Sequence, residues 1–311
     1  MKIIFWGNGN RGKNCLEALN NEGYEIPLVV CHTGPSIVRD SADALGIETI
    51  SPQNPNEAEV QKYLQQFDAD LFVLAAYGKI LKQQTIDIPK LMCLNLHGGR
   101  LPEYRGSSPM NWVLINGEDS FGLSIIKVDS GVDTGDVLAE RSFEVSINDT
   151  ICDLHNIANE QFPLMLLEAI EKIEQGGYEF KRQDNSSASY FPLRFPDDGL
   201  IFWDTLSAEQ IHNRIRALTE PYPCAFTFYK GREVKLLKSA LCEERFFGEA
   251  GRVYRKKDKE LLVCASDRCL WLKEAEFKDT NKPLYESVAR YDKLTTTKDV
   301  LMNAVRAGIL G

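Results

Sequence analysis

Asn95 and His97 are the first residues whose types and spacing suggest chemistry. They lie in the short apolar run LMCLNLH, which is typical of a buried strand, so side chains two positions apart point to the same side of it. Glycines and a proline follow at once and predict that the strand ends in a loop. A carboxamide and an imidazole thus share one face at the edge where open α/β sheets hold ligands. Such residues more often stabilise a loop, so the rest of the motif decides between these roles.

An acidic loop rich in glycine follows the next predicted strand. After a predicted helix at 108–115 and the strand FGLSIIKV, the segment DSGVDTGD carries Asp129, Asp133 and Asp136. Acidic residues spaced by glycines occur both in solvated turns and in cation-binding loops. The twelve-residue spacing of an EF-hand is absent, and we predict no metal site.

Together these segments resemble the formyltransferases that use N10-formyltetrahydrofolate. The resemblance rests on Asn-x-His, on the Leu-Pro-x-x-Arg-Gly loop that follows it and on the Val-Asp-Thr-Gly-Asp turn. It implies that the catalytic trio of this family corresponds to Asn95, His97 and Asp133. It also implies that N10-formyltetrahydrofolate contacts the two loops, with these candidates: Leu101, Pro102, Arg105, Gly106, Asp129 and Asp136.

The three residue types of the trio suit formyl transfer. An amine that attacks a formyl carbon creates a tetrahedral intermediate with a negative oxygen, and its nitrogen must lose a proton. The amide of Asn95 and a protonated His97 can donate to that oxygen, and each donor of this kind contributes roughly 3–4 kcal/mol. An ionised Asp133 beside His97 would favour the protonated ring and set its orientation. The scheme needs neither a metal ion nor a covalent enzyme intermediate.

The bulk composition limits the possible functions. The 311 residues, 43% of them hydrophobic, are enough for two domains with real cores. A net charge of −9 disfavours a surface that grips phosphate backbones, so we predict no nucleic-acid partner. The N-terminus MKIIFWGNGN predicts a strand and a glycine turn rather than a signal peptide, and no apolar run is long enough for a membrane span. We expect a cytoplasmic protein with no membrane partner.

The eight cysteines contain no Cys-x-x-Cys pair. They are scattered through apolar or helical contexts. We therefore interpret them as small apolar residues in a reducing compartment, and not as a disulfide framework or zinc ligands.

Strand and helix patterns alternate through the first half of the chain. This alternation predicts an α/β fold, with a Rossmann-like, doubly wound, mostly parallel sheet in residues 1–190. Short strands separated by turns predict a smaller β domain in residues 191–311, which resembles the OB-like C-terminal domain of the same family. The polar, serine-rich stretch 183–190 is interpreted as the linker.

A dinucleotide-binding fingerprint is present near the N-terminus. Gly7, Gly9 and Gly12 spell G-x-G-x-x-G before a predicted helix. The second strand, PLVVCH, ends in Cys31 and His32, without the acidic residue that would hold a ribose. We therefore rank an NAD-dependent dehydrogenase below a transferase.

The resemblance leaves the formyl acceptor open. The tRNA enzymes of the family carry a basic insertion after the second strand, and the segment CHTGPSIVRDSADALG contains none. The loop after His97 and the segment RFPDDGLIFW look closest to enzymes that formylate nucleotide-linked amino sugars. We therefore expect a dTDP-, UDP- or GDP-linked aminodeoxysugar as acceptor, a role in polysaccharide biosynthesis and, by analogy, a homodimer. The alternatives are a methionyl-tRNA formyltransferase and a non-catalytic module that binds nucleotide sugars.

Six residues are candidates for contacts with that acceptor. For Arg194 the alternative is a surface ion pair with Asp197, and Trp112 could belong to the core. The candidates are Tyr77, Lys79, Asn111, Trp112, Arg194 and Tyr222.

Overall fold

The structure, a computed structural model, describes residues 1–309 and consists of two compact units. The first unit comprises residues 1–109, 120–144 and 155–192, and the second comprises residues 110–119, 145–154 and 193–311. The predicted boundary after residue 190 stays a prediction.

The first unit is built on a seven-stranded sheet, with a separate two-stranded pair. Its strands are β1 (Lys2–Gly7), β2 (Glu25–Cys31), β3 (Glu48–Ile50), β4 (Leu71–Ala75), β5 (Met92–His97), β6 (Arg105–Gly106), β7 (Ser120–Lys127), β8 (Val137–Glu144) and β9 (Tyr190–Phe191). The large sheet has the order β3-β2-β1-β4-β5-β7-β8, parallel from β3 to β5 and antiparallel from β5 to β8. The predicted Rossmann-like, mostly parallel sheet is confirmed.

Helices connect these strands. They are α1 (Gly9–Asn21), α2 (Ile37–Ala44), α3 (Ala58–Gln65), α4 (Gln83–Ile86), α5 (Pro109–Asn116) and α6 (Ile151–Glu174). The central strands read as continuous apolar runs because they are covered on both faces, and β1 buries five of its six residues. A core cluster on one side includes Ile4, Trp6 and Phe72.

The glycine fingerprint is explained by close packing of backbone. A Cβ on Gly12 would lie 3.0 Å from the Val38 side chain, 3.1 Å from the carbonyl carbon of Gly7 and 3.2 Å from the carbonyl oxygen of Ala75. Gly12 therefore lets α1 approach the strands more closely than a larger residue would. The fingerprint needs no dinucleotide to account for it.

The second unit contains an antiparallel sheet of five strands, which confirms the predicted smaller β domain. Its elements are α7 (Ala208–Leu218), β10 (Ala225–Tyr229), β11 (Arg232–Leu241), β12 (Val253–Lys257), β13 (Glu260–Cys264), β14 (Cys269–Phe277), α8 (Leu284–Ser287) and α9 (Thr297–Arg306). The strand order is β10-β11-β14-β13-β12.

One pair of cysteines departs from the expectation of free thiols. Cys264 and Cys269 face each other in the antiparallel register of β13 and β14, and they form a disulfide. The prediction was wrong for this pair because the register that brings the two together is a property of the hairpin.

Within residues 1–309, none of the helices combines the length and the apolar composition that a membrane span needs.

The stretch 183–190 is not the linker that its composition predicted. The backbone N–H of Arg105 donates to the carbonyl of Ser189 (3.0 Å), and that of Ser107 donates to the carbonyl of Phe191 (2.9 Å). These bonds accompany the parallel pairing of β6 with β9. The stretch is therefore an ordered part of the first unit.

Candidate active site

Strand β5 places Asn95 and His97 beside each other near its carboxyl end. Its parallel neighbour is β4, and on the other side Asn95 pairs with Ile126 of β7 while His97 pairs with Ser124. The two side chains are two positions apart and lie on the same face. His97 is only 6% exposed, and Asn95 is partly buried.

Asp133 joins them although β7 runs antiparallel to β5 and ends beside its start, with Lys127 opposite Leu94, so the loop between β7 and β8 reaches back along β5 to His97. Its Oδ1 lies 3.4 Å from the Asn95 amide nitrogen, and its Oδ2 lies 3.5 Å from Nδ1 of His97. The structure thus brings the three predicted residues together. Their catalytic roles stay predictions.

Both ring nitrogens of His97 face oxygen atoms. Nε2 lies 2.6 Å from the backbone carbonyl of Tyr104, which can only accept, and Nδ1 faces the Asp133 carboxylate. The ring therefore lies between two oxygen acceptors, and its orientation depends on both of them.

The loop that carries Asp133 is built by its own residues. Asp133 has a φ of +53°, in the left-handed region that few non-glycine residues adopt. Oδ1 of Asp129 accepts from the N–H of Gly131 (3.0 Å) and from the hydroxyl of Thr134 (2.6 Å). A Cβ on Gly135 would lie 1.7 Å from the Lys127 carbonyl, so only glycine fits there. In this geometry the Asp129 carboxylate shapes the turn.

Asp136 contributes its backbone to the base of the same loop. Its carbonyl accepts from the N–H of Lys127 at 3.0 Å, and its side chain is exposed. The predicted contact of Asp136 with the formyl donor stays a prediction.

Gly106 holds the Asp133 carboxylate through its backbone. Its N–H donates to Oδ2 of Asp133 at 2.9 Å. Gly106 has a φ of +100°, and a Cβ there would lie 2.3 Å from the carbonyl oxygen of Phe191. A larger residue would separate β6 from β9 and move the N–H that holds the carboxylate.

Leu101 and Pro102, which the resemblance assigned to donor binding, are buried. Leu101 packs against Ile126 and Val137, and the carbonyl of Pro102 accepts from the N–H of Ser189 (3.2 Å). These contacts fasten the loop after His97 to the sheet.

Arg105 is also buried, at 1% exposure, and its guanidinium points at other residues of the first unit. It donates to the side-chain oxygens of Gln183, Asn185 and Tyr190 over 2.8–3.0 Å. Gln183 in turn donates to the backbone carbonyls of Asp133 and Gly135. Sequence reasoning missed Gln183 because it lies in the polar stretch taken for a linker, where no periodic pattern marks it.

Tyr77 and Lys79 follow strand β4. Tyr77 is 7% exposed, its ring packs against Trp6 and His32, and its hydroxyl has no hydrogen-bond partner among residues 1–309. Burial raises the pKa of Tyr77 to about 12. The Lys79 ammonium donates to the carbonyls of Pro52 (2.8 Å) and Gln53 (2.7 Å), so a substrate phosphate would have to replace these acceptors.

Asn111 and Tyr222 lie in the second unit. Asn111 is 2% exposed and donates its amide to the carbonyl of Ala217 at 2.8 Å. Tyr222 is partly buried in a turn where its N–H donates to the Thr219 carbonyl. Neither observation tests their predicted contact with the acceptor.

Arg194 and Trp112, also in the second unit, contact each other. The guanidinium of Arg194 lies 4.9 Å from the centre of the Trp112 ring, and Nη2 donates to the carbonyl of Asp198 at 3.0 Å. Burial lowers the pKa of Arg194, and the nearby positive charge of Arg214 acts in the same direction. The alternative ion pair with Asp197 is not among the contacts of Arg194 in the described residues.

A metal centre is not visible in the described part of the chain. Residues 1–309 contain no group of three or more His, Cys, Asp or Glu side chains that could hold a metal ion.

Family models match both halves of the chain. The model described as "Formyl transferase" matches residues 1–170, which include the Asn95, His97 and Asp133 cluster, and "Formyl transferase, C-terminal domain" matches residues 195–289. The chain belongs to the formyltransferase family. The predicted resemblance is confirmed, and the protein is a formyltransferase.

The curated relatives of this formyltransferase are similar over nearly their whole length. The methionyl-tRNA formyltransferase of Acetivibrio thermocellus is 34% identical over 297 residues, covering 92% of this chain and 95% of the relative. That of Ruminiclostridium cellulolyticum is 32% identical over 311 residues, covering 95% and 98%.

Solved formyltransferases share the fold. An N-formyltransferase from Helicobacter canadensis, in complex with folinic acid and dTDP-3-aminofucose, has a TM-score of 0.70 at 22% identity and covers 88% of this chain and 98% of its own. A methionyl-tRNA formyltransferase from Clostridium thermocellum has a TM-score of 0.55 at 20% identity, covering 78% and 94%. At such low identity the similarity shows the fold alone.

The predicted nucleotide-sugar acceptor and the predicted absence of a nucleic-acid partner are wrong. Eight curated relatives, 30–34% identical over most of the chain, are methionyl-tRNA formyltransferases, whereas the sugar enzymes are similar in fold at 21–22% identity. The missing basic insertion concerns one short segment, whereas the similarity to the tRNA enzymes extends over more than 90% of the chain in these two relatives.

The net charge of the whole chain averages over unlike parts, so it does not exclude a nucleic-acid partner. Residues 193–311 carry 21 Lys and Arg against 18 Asp and Glu, a net charge of +3, which leaves −12 for residues 1–192. An acidic chain can therefore contain a basic part. The predicted homodimer stays a prediction.

Proposed function

We propose that this chain transfers a formyl group from N10-formyltetrahydrofolate to the amino group of methionyl-tRNA. The observation that carries the proposal is the group of eight curated relatives, all methionyl-tRNA formyltransferases, at 30–34% identity over most of the chain. Similarity over both family regions argues for a shared acceptor as well as a shared fold.

The choice of donor is supported by the folates bound in proteins of the same fold. One sugar N-formyltransferase holds folinic acid, and another holds 5-N-formyl-THF. The residues at the carboxyl end of β5 suit such a donor chemically, since an amide and a protonated imidazole can both donate to a formyl oxygen. The loops at 101–106 and 129–136 flank this position in the sequence and are the proposed donor contacts.

The proposed reaction is one acyl transfer. The amine nitrogen of the methionyl group forms a bond to the formyl carbon, the bond from that carbon to N10 breaks, and the proton lost by the amine balances the proton gained by N10. Asn95 and His97 stabilise the negative oxygen of the intermediate, and Asp133 orients the His97 ring. A water molecule carries the proton from the amine to N10.

The basic character of residues 193–311 supports a tRNA acceptor. Their net charge of +3 contrasts with −12 for the preceding residues. Lysine and arginine side chains neutralise phosphates and release counterions, so binding through them weakens as the salt concentration rises. We expect the affinity for tRNA to fall steeply between about 50 and 200 mM salt.

The proposal is tested by incubating purified protein with N10-formyltetrahydrofolate and initiator tRNA charged with methionine. The expected result is formylmethionyl-tRNA, detected by mass spectrometry, together with an equal amount of tetrahydrofolate. Uncharged tRNA and the variant His97→Ala serve as controls, and a dTDP-linked amino sugar serves as a competing acceptor. Formylation of the sugar with none of the charged tRNA would overturn the proposal.

A further inference from the structure

Gln183 lies between a buried arginine and the loop that carries Asp133. It is 8% exposed, and its Nε2 donates to the backbone carbonyls of Asp133 (2.9 Å) and Gly135 (2.6 Å). Its Oε1 accepts from Nε (3.0 Å) and Nη2 (2.8 Å) of Arg105. A glutamine amide has two donors and an oxygen with two lone pairs, so the whole hydrogen-bonding capacity of Gln183 is used.

The orientation of this amide is determined by its neighbours. A guanidinium can only donate and a backbone carbonyl can only accept. Rotating the amide by 180° would set its NH2 against Arg105 and its oxygen against the two carbonyls, with four unfavourable contacts. Gln183 therefore accepts hydrogen bonds from Arg105 on one side and donates hydrogen bonds to the Asp133 loop on the other.

Arg105 is held rigidly enough to anchor this contact. Its Nη1 donates to the hydroxyl of Tyr190 and its Nη2 to Oδ1 of Asn185, each at 2.8 Å, and the Tyr190 ring lies 5.4 Å away. A buried guanidinium is costly unless its donors are satisfied. Among the described residues its contacts are with neutral oxygens rather than a carboxylate, so its partners are specified by geometry.

Two consecutive residues, Arg105 and Gly106, thereby hold the backbone carbonyl and the side-chain carboxylate of Asp133. The side chain of Arg105 fixes its backbone carbonyl through Gln183, and the backbone N–H of Gly106 holds its carboxylate at 2.9 Å. Asp133 has a φ of +53°, a conformation that persists in a non-glycine residue only when the surroundings enforce it. Loosening either end would let the carboxylate move relative to His97.

We propose that Gln183, anchored by Arg105, is a positioning residue that sets the alignment of Asp133 with His97. The inference rests on the proposed catalytic role of those two residues. It extends that role to a segment whose composition resembled a linker and whose end, residues 189–191, pairs with residues 102–107.

The test uses the full chain with Gln183→Glu as the main variant. Glutamate keeps both acceptor sites for Arg105 and loses the two N–H groups that hold the loop. Gln183→Met removes the whole network at similar length. Gln175→Glu, at an exposed position where the side-chain amide donates to Oε1 of Glu171 at 3.0 Å, is the matched control.

We expect Gln183→Glu to lower kcat about 10- to 100-fold, with both KM values within about threefold of the wild type. Its melting temperature should fall below that of Gln175→Glu, because a carboxylate oxygen replaces the donor at two backbone carbonyls, but both variants should be fully folded at the assay temperature. The ¹⁵N resonances of the His97 ring, assignable because the chain has four histidines, should shift in the variant without any substrate present.

Three results would overturn the inference. The first is an unchanged kcat with unchanged His97 resonances in Gln183→Glu. The second is a raised KM with normal kcat, which would indicate a substrate contact. The third is a loss of activity that follows loss of folding equally in both Gln183 variants. Since the His97 resonances need no acceptor, the inference stays testable even if wild-type protein fails to formylate methionyl-tRNA.

Discussion

Asp133 lies 3.5 Å from Nδ1 of His97, although the two residues come from different parts of the sheet. His97 ends a parallel strand, and Asp133 lies in the loop after its antiparallel neighbour. The opposite ring nitrogen contacts the Tyr104 carbonyl at 2.6 Å. The ring is thus held between two acceptors, and its alignment depends on three separate backbone segments.

Replacing Asp133 by asparagine should abolish most of the formyl transfer. Asparagine is nearly the same size and tolerates a left-handed backbone, so the fold should persist, but the charge beside His97 is lost. We expect kcat to fall about 10²- to 10⁴-fold. Asp68→Asn is the matched control, since Asp68 has a φ of +51° and lies at the surface. Normal turnover in Asp133→Asn would contradict the assigned role.

Gly99→Ala should disturb the position of His97. A Cβ there would lie 2.8 Å from Nε2 of His97, 2.8 Å from the Tyr104 carbonyl and 2.9 Å from Pro109. We expect kcat to fall at least tenfold and the free energy of unfolding to fall by about 1–3 kcal/mol. Gly177→Ala should be neutral in both assays, because a Cβ there would meet nothing within 4 Å. Wild-type kinetics in Gly99→Ala would show that the ring position is not critical.

Acid should destabilise the fold partly through His155. Burial lowers the pKa of this partly buried histidine to about 4, with Arg11 acting in the same direction, from an unfolded value near 6.5. Above pH 6.5 both states are neutral and this stability is fully present. Between pH 6.5 and 4 His155 binds a proton in the unfolded chain but not in the folded state. The free energy of unfolding therefore falls by up to about 3 kcal/mol over this range.

The variant His155→Gln, which cannot titrate, isolates this contribution. Urea unfolding of both proteins at pH 7.5 and at pH 4.5 should show a smaller acid-induced loss in the variant. An identical loss in the two proteins would mean that His155 keeps an ordinary pKa in the folded state.

Tyr77→Phe should stabilise the protein. The Tyr77 hydroxyl is buried without a partner among residues 1–309, and leaving such a group unpaired costs about 1 kcal/mol or more. Tyr229→Phe is the opposite case, because its hydroxyl donates to Asp292 and that bond would be lost. Chemical denaturation should therefore give shifts of opposite sign. A destabilised Tyr77→Phe would show that the hydroxyl is paired, and the KM of this variant tests the predicted acceptor contact.

Much of the first unit could be predicted from local patterns. Strands covered on both faces read as unbroken apolar runs, and the alternation with helices predicts a parallel sheet. The spacing of Asn95 and His97 places both on one face because a strand repeats every two residues. The resemblance of motifs then added Asp133, which no periodic pattern links to His97.

Other features required the fold. Gln183 was assigned to a linker, whereas in the structure it connects Arg105 to the Asp133 loop. Cys264 and Cys269 looked like two isolated apolar residues until the register of their hairpin placed them opposite each other. The predicted sugar acceptor was corrected by similarity to curated relatives along the whole chain, and not by a local sequence pattern or by the fold.

The sequence by itself determined which apolar runs form strands of the first unit, that Asn95 and His97 share one side of β5, and the family. Only the tertiary structure decided which distant groups hold Asp133. It also decided that Nδ1 of His97 faces Asp133 and that Nε2 faces the Tyr104 carbonyl. The physical reason is the range of the interactions. Burial and backbone periodicity act on neighbouring residues and leave a repeating pattern in the chain, whereas a hydrogen bond between residues 105 and 183 leaves no pattern until folding brings its partners within 3 Å.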